Sequence, residues 1–272
     1  MKSLPKEQKD FYKKIENIKL VSEYNIYDTV DKFESVTLGK YEQDGDVSNG
    51  KEDIEWIALK RENDKVLLLS KYIIEYKYFN DNNDLPYVTW ANATIRNWLN
   101  TVFYSSAFSG YEKNVIINSS LNNYFIETPQ ALSNLDGLEK WESNDTIEDT
   151  SDFVFLITKN DCLDTFGSDM FLNEETNEIE FLENMRAATK ATQYAKNIVI
   201  DTSDYKSSLL VDNTLEWHKD NSPYVLRNSG NVKNTISLVH TNGTYFDSVF
   251  INGNNNQPRG IRPAIWVKYE NE

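Results

Sequence analysis

Cysteine occurs once in 272 residues, and histidine only twice, at His218 and His240. One thiol, Cys162, rules out an intramolecular disulfide and a cysteine-based zinc site, and two histidines would need carboxylates to complete any zinc site. A disulfide-free chain suits a reducing compartment without excluding an oxidising one. Glycine is sparse at 10 residues, and neither a dinucleotide fingerprint nor a phosphate-cradling loop is present. No apolar run approaches the roughly 18 residues of a membrane helix, so no membrane insertion is expected. The first residues contain no apolar leader core. A cytoplasmic location is therefore expected if Met1 is the native start, and a secreted or cell-surface one if a leader has been removed. Basic residues are in deficit, 28 against 43 acidic, for a formal charge of −15. That balance argues against nucleic acid, whose binding rests on Lys and Arg neutralising phosphates, and against an anionic membrane surface. No Ser/His/Asp constellation or paired-carboxylate motif stands out, and no cofactor is expected.

Aromatic residues are abundant at 13%, including 16 Tyr and 6 Trp, so much of the core must be built from rings. Residues 1–35 read as an N-terminal helical extension: Phe11, Ile15 and Ile18 recur at helical spacing behind Pro5, which can occupy a first turn. Residues 36–272 read as one domain. Val36 to Tyr41, Asp53 to Leu59 and Lys65 to Ser70 are strand candidates, with a turn at Glu62-Asn63-Asp64. Between the first two, Asp44, Asp46, Ser48 and Glu55 fall at positions of a helix-loop-helix calcium loop. Asn49 stands where that loop needs glycine, however, and strands flank it, so a solvated hairpin loop is expected.

Thr89 can cap a helix to Thr101, with Trp90, Ile95, Trp98 and Leu99 on its apolar face and Arg96 and Asn97 turned away. Ser109-Gly-Tyr-Glu112 is a capping box for a second helix. Residues 118–150 read as a long polar loop, 153–158 (FVFLIT) as a buried strand and 167–185 as an acidic connection. Cys162 reads as a small core hydrophobe in a short helix, and 186–196 have helical composition. The stretch from Ser222 to Lys268 alternates apolar runs with Asn- and Arg-bearing turns and ends in a strand from Gly260 to Lys268.

Taken in order, several motifs carry a resemblance. They are Gly39-Lys-Tyr41-Glu-Gln43-Asp44, Ile54-Glu-Trp56-Ile-Ala-Leu59, Val66-Leu-Leu-Leu-Ser70, Thr89-Trp90 through Arg96-Asn-Trp98-Leu-Asn100, and Ala107-Phe108-Ser109. Val154-Phe-Leu-Ile-Thr158, Thr192-Gln-Tyr194-Ala195, Leu226-Arg227-Asn228-Ser-Gly230 and Gly260-Ile-Arg262-Pro-Ala-Ile-Trp266 complete the series. In this the chain resembles an uncharacterised bacterial domain family of the clostridial, Firmicutes type, similar to the C-type-lectin-like and sulfatase-modifying-factor-like folds. The relatives' W-W-L-R-S-P-G stands here as Tyr224-Val-Leu-Arg227-Asn-Ser-Gly230.

The resemblance implies an α+β, C-type-lectin-like fold: a twisted antiparallel sheet, two main helices and long loops, with the closing strand against Val36 to Tyr41. Formylglycine-generating oxidase activity would need two active-site cysteines, and Cys162 is alone. A calcium-dependent sugar loop would need a carboxylate where Gln257-Pro258-Arg259 places a cation. The expected function is a non-catalytic binding module presenting C-terminal loops to a protein or carbohydrate partner. Its candidate contact residues are Tyr224, Arg227, Asn228, Asn231, Tyr245, Phe246, Asn254, Asn255, Asn256, Gln257 and Arg259, a paratope-like mixture of rings, amides and arginine. The alternatives are an enzyme with a cleft of Arg, Tyr and acidic residues, and an oligomerising structural subunit.

Overall fold

The computed structural model describes residues 5–82, 84–126, 139–142, 144–168, 170–173, 178–181, 184–200, 220–251 and 257–269. The chain opens with helix α1 (Lys6–Asn17) and strands β1 (Val36–Tyr41), β2 (Glu52–Glu62), β3 (Lys65–Ser70) and β4 (Glu75–Lys77). A helical stretch follows, made of α2 (Thr94–Trp98), a π-helical turn (Leu99–Phe103) and α3 (Tyr104–Ala107). Next come α4 (Gly110–Val115), β5 (Ser119–Leu121), β6 (Thr150–Asp152), α5 (Lys159–Phe166), β7 (Met170–Asn173), β8 (Glu178–Phe181) and α6 (Gln193–Ile200). The chain closes with β9 (Tyr224–Ser229), β10 (Thr235–Val239), β11 (Tyr245–Phe250), β12 (Arg259–Ile261) and β13 (Ala264–Lys268).

Two sheets carry the architecture. One runs β1-β2-β3-β13 and the other β11-β10-β9-β12-β4, and two-stranded ribbons β5-β6 and β7-β8 flank them. Among the described residues, the pairings between these strands are antiparallel except β12 with β9. The β2–β3 turn forms where the sequence places it, with Asn63 at φ 48°, a conformation that asparagine tolerates. On β1, Gly39 has φ +75°, and a Cβ there would lie 2.7 Å from the Phe108 ring, so only glycine lets the helical segment approach. The same residue's N–H donates to Glu112 Oε1 (2.8 Å), tying the capping box of α4 to the sheet.

The two sheets meet at a corner where the chain changes sheet twice, at 70–74 and at 261–264. Ser70 N–H donates to Pro263 O (2.8 Å) and Ile74 N–H to Ile261 O (3.0 Å). Arg262 fills the corner, its guanidinium donating to Ser70 O, Lys71 O and the Tyr224 hydroxyl. The closing stretch is therefore two strands, because proline at 263 has no N–H to continue a ladder. Its second half pairs with β3 and not with Val36–Tyr41, which lies at the far edge beyond β2.

Four further expectations give way. The helix expected from Thr89 to Thr101 is interrupted: Trp90–Asn92 form a 3-10 turn because Asn92 Oδ1 accepts from Thr89 N–H (2.8 Å). Residues 154–158 are buried and Phe153 half-buried, but the run holds only a bridge from Phe155 to Ala264. Their polar groups are taken elsewhere: Asn100 Oδ1 accepts from Phe153 and Val154, and Arg227 donates to Leu156 and Ile157. Helix α6 begins only at Gln193, while Lys190 and Ala191 make bridges. The acidic connection at 167–185 contains the paired strands β7 and β8.

Helix α1 is not a separate appendage in its packing. Phe11, Tyr12 and Ile15 are buried in the same apolar cluster as Trp56, Leu68, Phe103 and Ile265. Arg61 Nη2 donates to the carbonyls of Ile15 and Ile18, fixing the helix end on β2.

Candidate functional site

The residues expected to form a C-terminal contact surface are divided by burial. Tyr224, Arg227, Asn228 and Tyr245 face inward. Strand β9 is covered along its whole length, so alternation along it leads to protein on both sides. Tyr224 donates to Ala187 O (2.9 Å), and Tyr245 donates to Gly167 O (3.0 Å). Asn228 accepts from Lys159 N–H and donates to Ser237 Oγ. Arg227 donates to Leu156 O, Asn122 O and Asn123 Oδ1, the last at 2.6 Å. All four side chains are buried. Asn231, Gln257 and Arg259 are half-buried, and Phe246 is 54% exposed. Asn254, Asn255 and Asn256 lie outside the described residues.

The calcium-loop set is not assembled either. Glu55 faces Ser35 and Lys71, while Asp46 accepts from Ser48 within the loop. A different trio converges: carboxylate oxygens of Glu42, Asp44 and Glu52 lie within 4.8 Å of one another, a set of hard oxygen donors. The Glu42 carboxyl is held above its ordinary range, first by loss of hydration and then by the Glu52 and Asp44 charges, although Gly45 N–H donates to it.

A buried carboxylate lies nearby on β4. Glu75 accepts from the Tyr41 hydroxyl (2.7 Å) and from Tyr76 N–H (3.2 Å), and burial raises its pKa against those hydrogen bonds and the Lys77 charge. Its side chain is sealed, with the residue 4% exposed.

Among the described residues, a cavity of about 520 Å³ lies between the α2 region and the ribbon β5-β6, lined by Asn92, Thr94, Arg96, Asn97, Asn100, Asn118, Ser151, Asp152 and Phe153 among others. Arg96 is held at its wall: Nε donates to Asp152 Oδ1 (2.8 Å) and Nη1 to Ala91 O (3.0 Å). Asp152 is spent, since its second oxygen accepts from Trp90 Nε1 (2.9 Å) and from Thr150 Oγ1 (2.8 Å). The Arg96 side chain stays 29% exposed, and its Nη2 makes no hydrogen bond among the described residues. The side-chain amides of Asn97 and Asn118 and the hydroxyl of Ser151 are likewise without a protein partner there. Phe153 contributes a ring that stacks on Tyr104, centroids 4.6 Å apart and planes 14° from parallel.

Asn100 builds this wall from inside the π-helical turn. Its amide donates to Arg96 O and Val154 O while its oxygen accepts from Phe153 and Val154 N–H, clamping the strand end to the helix. A π-turn displaces the following side chains relative to an α-helix, a device that recurs at functional sites. The signal for this site was present in the sequence as the polar face of the Thr89–Thr101 segment, which turns Arg96 and Asn97 away from the core. Asn118 and Ser151 carried none, because they come together only through the pairing of β5 with β6. The cavity thus offers amides, a hydroxyl, one guanidinium edge and one ring, with its single carboxylate neutralised.

No curated protein and no solved structure matches the chain. A family model described as a domain of unknown function, DUF6273, matches residues 63–269. The motifs that build the cavity wall, from Trp90 to Asn100, fall inside that span, and so do β5 and β6. The chain belongs to the DUF6273 family.

Proposed function

We propose that the protein is a non-catalytic binding module that takes a carbohydrate in the Arg96 cavity. The observation that carries this reading is the set of unpaired planar donors and acceptors around one aromatic ring. Amides and guanidinium edges match the paired hydroxyls of a sugar, and the ring matches the apolar face of a pyranose. The non-catalytic part rests on the cavity's ionisable liners, Arg96 and Asp152, which are engaged with each other, and on the sealing of Glu75 away from solvent.

The same proposal includes a C-type-lectin-like arrangement for the family domain. Its support is the pairing of β3 with β13: the matched span begins at 63 and ends at 269, so its first and last strands are neighbours, with long connections between them. A protein partner is the second reading. It is favoured by β11, which lies at the end of its sheet and carries exposed Phe246, an available edge for strand addition.

The test is a glycan array read with wild type and with an Asn97→Ala/Asn118→Ala variant. Each lost amide contact is worth about 0.5–1.5 kcal/mol, so the double variant should bind its glycans about tenfold or more weakly at unchanged melting temperature. Wild type that retains no glycan, or a variant that binds as wild type does, overturns the assignment. Loss of a captured protein on Phe246→Ala would favour the second reading.

A further inference from the structure

A second cavity, of about 310 Å³, lies at the opposite end of the ribbon that floors the first, lined by Asn122, Asn123, Tyr124, Phe125, Thr146 and Asp149 among others. In the ribbon Ser119 pairs with Asp152, Ser120 with Ser151 and Leu121 with Thr150. Asn118, Ser151 and Asp152 therefore serve the first cavity at one end, and Asn122, Asn123 and Asp149 serve the second at the other. From Asn118 to Asn122 the chain advances about 13 Å at the rise of an extended strand. That is longer than one sugar ring and within the reach of a short linear oligomer.

The second cavity offers an amide, a hydroxyl and a ring as the first does, with the carboxylates of Asp145 and Asp149 in place of a guanidinium. The Asn122 amide and the Thr146 hydroxyl have no protein partner among the described residues. Asp149 uses Oδ1 to accept from Asn123 N–H (3.0 Å), and its other oxygen makes no hydrogen bond among the described residues. Phe125 supplies a ring braced from behind by Trp141, centroids 5.7 Å apart and planes 14° from parallel.

One hydrogen-bonded chain runs beneath both cavities. Arg227 Nη1 donates to Asn123 Oδ1 (2.6 Å), Asn123 Nδ2 to Thr150 Oγ1 (3.2 Å), Thr150 Oγ1 to Asp152 Oδ2 (2.8 Å), and Arg96 Nε to Asp152 Oδ1 (2.8 Å). Buried Asn123, Thr150 and Asp152 have all or nearly all of their hydrogen-bonding capacity consumed in it, which fixes the spacing of the two cavities.

We infer that the two cavities are subsites of one elongated site, and that the ligand is a linear oligosaccharide lying along the β5-β6 ribbon. The inference rests on the carbohydrate reading of the Arg96 cavity and adds the length of the ligand to it. Two independent small-ligand sites would not require a common polar floor, whereas one ligand bridging both gains from two subsites held at a fixed distance.

The experiment is isothermal titration of the full chain with cello-, xylo-, manno- and galacturono-oligosaccharides, each from mono- to hexasaccharide. Along the ladder that binds, affinity should rise tenfold or more between the disaccharide and the hexasaccharide. Asn122→Ala/Asp149→Asn, two changes on exposed side chains, should flatten that rise to the disaccharide value and leave the disaccharide affinity and the melting temperature unchanged. An affinity that reaches its plateau at the disaccharide, with the second-cavity variant indistinguishable from wild type, overturns the elongated site and leaves the Arg96 cavity standing. Failure of every ladder to bind overturns both readings together.

Discussion

Arg186, Arg227 and Arg262 are buried, and none forms an ion pair among the described residues. Backbone carbonyls take the place of carboxylates: Phe166 for Arg186, Leu156 and Asn122 for Arg227, Ser70 and Lys71 for Arg262. A guanidinium suits this role because its fork reaches several acceptors from one fixed plane. Glu75 is the converse case, a buried carboxylate whose pKa burial pushes above the ordinary 4.5. The native state then keeps its proton to higher pH than the unfolded chain does. In the window from the ordinary value up to the raised one the unfolded state binds fewer protons, so stability falls as pH rises through it. Above the window the charge stays unfavourable to folding. Glu75→Gln keeps an oxygen to accept from Tyr41 and removes the charge. The variant should therefore exceed wild type in denaturant midpoint at about pH 8, by a margin that shrinks towards about pH 5. A margin that is absent or reversed at the higher pH would mean that the ionised form is the one the fold favours.

At the scale of elements, the stretch from Thr94 to Ala107 shows how much a local pattern can specify and where it stops. Its apolar spacing is legible: Ile95, Leu99, Phe103 and Ala107 are buried as a helical face requires. The capping box at Ser109 is legible too, and Glu112 accepts from Ser109 N–H (2.6 Å) as the motif dictates. The π-turn is not, because it registers Asn100 against Phe153 and Val154, more than fifty residues away. Nor is the fate of 153–158, whose β-rich composition reads as a ladder strand while side chains from elsewhere take its hydrogen bonds. Asn100 is therefore the residue on which the cavity wall depends. Asn100→Ala orphans two backbone N–H groups and should cost about 3 kcal/mol of stability. It should abolish glycan binding as well, whereas Asn97→Ala weakens binding without moving the melting temperature. Chemical denaturation of the two variants side by side separates them. An Asn100→Ala protein as stable as wild type would show that the clamp does not hold the wall.

At the scale of the molecule, the family match and the buried core have different boundaries. The matched span starts at 63, two residues before β3, and leaves out α1, β1 and β2. Yet β2 pairs with β3 along the whole of β3, and Trp56 and Ile57 are fully buried in the shared core. The sequence makes the three strands plain through their apolar runs. It does not reveal that β3 is central, because strand order depends on where β13 returns, some two hundred residues later in the chain. A shorter separation hides the site: Arg96 and Asn118 are readable as polar residues, but only the folded ribbon gives them a common cavity. A fragment of 63–269 would expose one edge of β3 and lose the Trp56, Ile57, Leu38 and Ile15 contacts, each large buried side chain worth about 2–5 kcal/mol. Such a loss is as large as the usual stability of a domain, about 5–15 kcal/mol in total. The fragment should therefore show no cooperative thermal transition by circular dichroism. A fragment of 36–269 keeps both sheets but loses α1 and the carbonyls of Ile15 and Ile18 that hold Arg61, so it should still melt cooperatively, at a clearly lower temperature than the full chain. If 63–269 unfolded cooperatively at the full-chain temperature, the four-stranded sheet would have to be dispensable, and the family domain would be a folding unit without its first two strands.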